Sequence, residues 1–103
     1  MKSRLELLEE FLSQDPNDSF SRYALALELE KAGDPDRALS ELSEVVTRDP
    51  NYVGAYYHLG RLLSKAGRTD EARSIYQRGL TVATAANDQR ARSELQEALE
   101  SVE

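Results

Sequence analysis

Side chains capable of covalent or metal chemistry are sparse in this chain. It has one histidine, His58, and no cysteine. A histidine metal pair needs a second imidazole one helical turn further on, and none follows. The missing cysteine rules out disulfides and thiolate metal sites and fits a reducing compartment. No glycine-rich phosphate loop, nucleophile elbow or metal-loop spacing is present. The acidic pairs Glu9-Glu10 and Asp70-Glu71 suit solvated faces and first turns of helices, where carboxylates offset the helix dipole. No convergent catalytic set emerges. The expectation is a protein that is not an enzyme, with no cofactor and no metal site, and with His58 on the surface.

Charge and hydropathy narrow the partners. A net charge of −6 repels phosphate backbones, so nucleic acid is not an expected partner. No stretch is apolar for long enough to cross a membrane. Met1-Lys2-Ser3-Arg4-Leu5-Glu6 leads into an acidic amphipathic segment instead of an apolar signal core, so a cytoplasmic location is expected. A length of 103 residues is that of one small domain. Helix formers dominate, and no run alternates with period two.

The elements that must position any site come from a repeat. Asp15-Pro16-Asn17 returns 34 residues later as Asp49-Pro50-Asn51. The same shift aligns Tyr23 with Tyr57, Leu25 with Leu59, Leu29 with Leu63, and Lys31-Ala32-Gly33 with Lys65-Ala66-Gly67. Ala38 meets Ala72, and the N-terminal Leu8 meets Leu42. Each unit reads as two helices. Asn17 and Asn51 are the expected N-caps of the first. Leu25, Leu29 and Ala32, then Leu59, Leu63 and Ala66, form its apolar stripe at spacings of three or four. Gly33 and Gly67 end it in the left-handed conformation. Asp34-Pro35 starts the second helix of the first unit; that helix buries Ala38, Leu42 and Val45. Its counterpart starts near Thr69 and buries Ala72, Tyr76, Gly79 and Leu80. Ala26 and Gly60, like Ala38 and Ala72, are small so that paired helices can approach closely.

This pattern resembles the tetratricopeptide repeat, whose units are helix–turn–helix pairs of the same period. The second unit carries Tyr56, Leu59-Gly60, Leu63, Ala72, Tyr76 and Gly79; the first carries Leu25-Ala26, Leu29, Ala38, Leu42, Val45 and Pro50. Departures are Arg22 where an aromatic is usual and Thr84 where a proline would close the second unit. The resemblance implies an all-α, right-handed α-α superhelix of about six antiparallel helices. One domain, 1–103, is expected, with an N-terminal helix at 3–14, repeats at 17–50 and 51–84, and a capping helix at 88–102. Ser3 with Glu6 makes a capping box for the first of these. The last has an apolar stripe of Ala91, Leu95, Leu99 and Val102, and matches the first-type helices only with a shift of 70 instead of 68. Its charged outer side suits an array end.

The resemblance also implies where a partner would bind. First helices line a concave face in this family, and the matching positions here are Phe20, Tyr23, Leu27 and Lys31, then Tyr57, Arg61 and Lys65. Phe20 could equally be core, since burial is the usual fate of phenylalanine. Aromatic residues beside basic heads suit interface cores and rims. A subset of the family grips a terminal carboxylate with Lys and Asn on the first helices. Only Arg61 could serve among the matching residues, so that activity is not supported. The expected function is a protein–protein interaction module binding a peptide segment; the alternative is self-association as a homodimer through the same apolar face.

Overall fold

The structure is a computed structural model that describes residues 1–102. It contains six helices and, among the described residues, no strand: α1 (Arg4–Gln14), α2 (Ser19–Lys31), α3 (Pro35–Arg48), α4 (Val53–Lys65), α5 (Thr69–Ala85) and α6 (Gln89–Ser101). They form two compact units, Met1–Asp49 and Pro50–Glu103. The boundary falls inside the second Asp-Pro-Asn.

In the first unit, α1 starts with the expected capping box. The Glu6 N–H donates to Ser3 Oγ at 3.1 Å and the Ser3 N–H donates to Glu6 Oε1 at 3.2 Å. Leu8 and Leu12 are buried, and α1 packs on α2. α2 packs in turn on α3, with Ala26 and Ala38 fully buried. Asn17 is not the cap of α2. Asp-Pro-Asn closes a turn in which the Asp18 N–H donates to the Asp15 carbonyl at 3.1 Å. Asp18 then becomes the cap, accepting from the Ser21 N–H at 3.2 Å and the Ser21 hydroxyl at 2.7 Å. Asn17 instead accepts from Arg48 Nη1 at 2.9 Å. In the second unit the cap falls on Tyr52, which makes no side-chain cap bond, and Asn51 lies before it. Both helices therefore start later than asparagine capping would place them.

In the second unit, α4 packs on both α5 and α6, and α5 packs on α6. Two glycines are there because nothing larger fits. A Cβ on Gly60 would run into the Tyr76 ring, 2.6 Å from Cδ1 and 2.7 Å from Cζ. A Cβ on Gly79 would lie 2.7 Å from the Tyr56 Cβ. Leu80 is half-buried, not core, and Ala32 and Ala66 are exposed caps outside the apolar stripes. Backbone geometry explains the alanines: each stands one residue before a glycine that has left the helix.

Three connections of one design join α2 to α3, α4 to α5 and α5 to α6. Gly33, Gly67 and Asn87 take positive φ of 86°, 79° and 55°. In each, the next N–H reaches back five residues: Asp34 to the Leu29 carbonyl, Arg68 to Leu63 and Asp88 to Ala83, all at 2.9 Å. This is the Schellman arrangement, which satisfies carbonyls at the end of a helix. It also explains the shift of 70. α5 has 17 residues against 14 in α3, and its connection to the next helix is one residue shorter than the one after α3. Three added and one removed leave the two extra residues.

Candidate functional site

Positions occupied by aromatics in the family differ between the two units, and the structure shows how each is served. Tyr56 is 1% exposed, and its hydroxyl donates to the Pro50 carbonyl at 2.6 Å. Arg78 lies over its ring, 5.7 Å from the centroid. Arg22 holds the equivalent place in the first unit. It donates to the equivalent carbonyl, Pro16, at 2.8 Å and to Glu41 Oε1 at 2.7 Å. A guanidinium thus replaces a phenol as the donor that fastens the turn to the helix. These residues set the frame; they are not the site.

The expected site residues lie on one face of α2 and on one face of α4. On α2, Phe20 is 64% exposed and so is not core. Tyr23 and Leu27 are half-buried, and Lys31 is exposed with Nζ 3.9 Å from Glu28 Oε1. On α4, Tyr57 and Arg61 are half-buried and Lys65 is exposed. Helical spacing brings these three together, and they line one cleft of about 470 Å³ with Ser64. The opposite wall is α6, which supplies Glu94, Glu97, Ala98 and Ser101, and Tyr76 of α5 lies between the walls. Burial pushes the Tyr76 phenol up, with the neighbouring Tyr57 adding to the shift and Arg61 opposing it. His58 is half-buried rather than openly solvated. Its ring stands edge-on to Tyr57 with centroids 5.4 Å apart, and its Nδ1 is 3.3 Å from Arg61 Nη2.

The cleft therefore has a basic wall on α4 and an acidic wall on α6. The α6 side is absent from the sequence-based set, although a signal for it existed. The shift of 70 places Glu97 at the position of Leu27 and Ser101 at that of Lys31. Tyr76 was assigned to the core; it is 3% exposed yet lines the cleft. Among the described residues no cluster of His, Asp or Glu could hold a metal ion, and no helix is long and apolar enough to cross a membrane.

Comparison with known proteins agrees with the helical-repeat fold. Two family models described as tetratricopeptide repeat match residues 29–99 and 7–40. A tetratricopeptide repeat domain protein from Salinibacter ruber is 47% identical; the match covers 86% of this chain and 90% of that one, with a TM-score of 0.82. A protein from Bordetella parapertussis is 30% identical over 99% of this chain and 89% of its own, with a TM-score of 0.82. The TPR2B domain of yeast Sti1, solved as a complex with pHsp70, is 17% identical over 95% of this chain and 78% of its own, with a TM-score of 0.88. No curated protein sequence matches. The chain belongs to the tetratricopeptide repeat family, and its fold is the all-α fold of that family.

Proposed function

We propose that this protein is an interaction module that binds a segment of another protein on the face of its first-type helices. The observation that carries the reading is the cleft of the second unit, about 470 Å³ lined by Tyr57, Arg61 and Lys65 opposite Glu94 and Glu97. An aromatic between charged walls of opposite sign can hold a peptide while its side chains reach either wall. On α2, Phe20, Tyr23, Leu27 and Lys31 offer the matching apolar row. The fold shared with the Sti1 domain, solved with pHsp70, supports the same mode of action here. A homodimer buried through this face is disfavoured, because it would desolvate Arg61, Lys65, Glu94 and Glu97 together.

The test compares the intact chain with a Tyr57→Ser/Arg61→Ser variant in capture from a native extract, with helicity checked by circular dichroism. The partner should be lost at unchanged helicity. Amide shifts on adding the captured partner's segment should concentrate at Tyr57, Arg61, Lys65 and Glu97. Equal capture by the variant sinks the proposal.

A further inference from the structure

The cleft of the second unit carries two carboxylates that the chain leaves uncompensated. Glu94 and Glu97 stand one turn apart on α6, both exposed and both on the cleft wall. Other carboxylates meet arginines within the chain: Glu28 meets Arg4, Glu41 meets Arg22, Glu44 meets Arg48 and Glu71 meets Arg68. Among the described residues, neither Glu94 nor Glu97 has a cation or a hydrogen-bond partner. The cations of the facing wall do not serve them. Arg61 Nη2 lies 3.3 Å from His58 Nδ1, and both Arg61 and Lys65 have partners other than these carboxylates. The cleft holds a further unused group between its walls. Tyr76 is 3% exposed, yet its hydroxyl makes no hydrogen bond among the described residues. Every described side-chain oxygen sealed from solvent has a partner, so this hydroxyl opens into the cleft that Tyr76 lines. The ring is packed on Gly60, where no side chain fits, and that holds the hydroxyl in place. A buried hydroxyl left unbonded is costly, so a ligand that bonds it gains the more.

We infer, resting on the cleft as the surface where the partner binds, that the segment it takes is basic, with a lysine or arginine head set among Glu94, Glu97 and the Tyr76 hydroxyl. An ammonium or a guanidinium brings several N–H donors and no acceptor. The two carboxylates and the phenol oxygen are acceptors, and the bonds to the carboxylates are charge-assisted. Tyr57 lines the same cleft and adds an aromatic surface for the cation. An acidic segment would meet Glu94 and Glu97 with like charge and find Arg61 and Lys65 already engaged. A volume of about 470 Å³ is within the range of clefts that enclose a small ligand group. The net charge of −6 favours the approach of a basic segment, within the distance that salt leaves unscreened.

The probes are short blocked peptides with lysine or arginine between leucines, and matched peptides with glutamate or neutral citrulline in that place. Each is titrated into the full chain and followed by amide shifts. The basic peptides should bind at about 0.1–10 mM and move the amides of Tyr57, Tyr76, Glu94 and Glu97. The glutamate and citrulline peptides should bind at least about tenfold more weakly. Glu94→Gln/Glu97→Gln, at exposed positions, should weaken the basic peptides by about tenfold, and Tyr76→Phe, which keeps the ring, by about threefold, both at unchanged helicity. No binding by either basic peptide overturns the inference. So does equal binding by glutamate or citrulline, or full binding by either variant. Capture from a native extract separates this outcome from loss of the cleft itself. A partner lost by Tyr57→Ser/Arg61→Ser but kept by Glu94→Gln/Glu97→Gln leaves the cleft as the binding surface and removes the basic ligand. A partner kept by both removes the cleft.

Discussion

Arg22 shows how one residue can satisfy a family position with different chemistry. Its side chain is 13% exposed and its partner Glu41 is 22% exposed. It makes the bond to the Pro16 carbonyl that Tyr56 makes to Pro50. Replacing it with an apolar residue of similar length leaves the half-buried Glu41 carboxylate without this donor, while the Pro16 carbonyl keeps the Arg48 Nη1 donor at 3.2 Å. Leaving such a group unpaired costs more than the pair itself contributes. Arg22→Met should therefore lower stability by about 1–3 kcal/mol, read by urea unfolding. Adding Glu41→Gln should recover part of that loss, because the two residues share one interaction and their effects do not add. Unchanged stability in Arg22→Met would show that the pair is replaced by water at no cost. The position itself was visible in the sequence as a departure from the aromatic pattern. The compensation was not, because Glu41 lies 19 residues after Arg22 and Pro16 six before it, and nothing in that spacing announces a shared bond.

At the scale of elements, the helices and their pairing were legible because one 34-residue register explains the apolar, small and glycine positions together. The Gly33 and Gly67 connections followed from the conformational freedom of glycine. The Asn17 cap was misplaced because Asp15-Pro16-Asn17 closes a turn of its own, in which the Asn17 N–H donates to Asp15 Oδ1 at 3.2 Å and the Asp18 N–H to the Asp15 carbonyl at 3.1 Å, so the cap falls one residue later; Asn51 likewise lies one residue before the cap of α4. The α6 wall of the cleft was read as outer surface because its charge pattern suggests solvent; only the shift of 70 points the other way. That shift depends on the third connection, where Asn87 does the work of a glycine at φ 55°. Asparagine tolerates this region and alanine does not. Asn87→Ala should cost about 1 kcal/mol, while Asn87→Gly should match or exceed the parent. Thermal melts of both variants decide it, and an alanine variant as stable as the parent would mean that the turn relaxes into another conformation.

For the whole molecule, charge acts on two length scales that pull in opposite directions with pH. The net charge is −6 at neutral pH and vanishes near a pI of 4.8, so acidification first relieves self-repulsion. Local contacts then work against it. Bonds from Ser3 hold the Glu6 carboxyl below its ordinary value of 4.5, and bonds from Ser21 hold Asp18 below 3.8. Arg48 lowers Glu44, and Arg68 lowers Glu71. Each folded-state value is depressed, so the unfolded chain takes up protons first as pH falls. The stability these groups contribute is complete above the ordinary value and is lost below it, through the folded value. The melting temperature should therefore hold or rise as pH is lowered from about 7.5 to about 5, then fall below about 4.5. All four groups are at the surface, so added salt should flatten both limbs. Ser3→Ala removes the contacts that lower Glu6. The gap between its melting temperature and that of the parent should accordingly narrow as pH approaches 3. A melting temperature that keeps rising down to that pH would show that relief of net charge outweighs the caps and ion pairs.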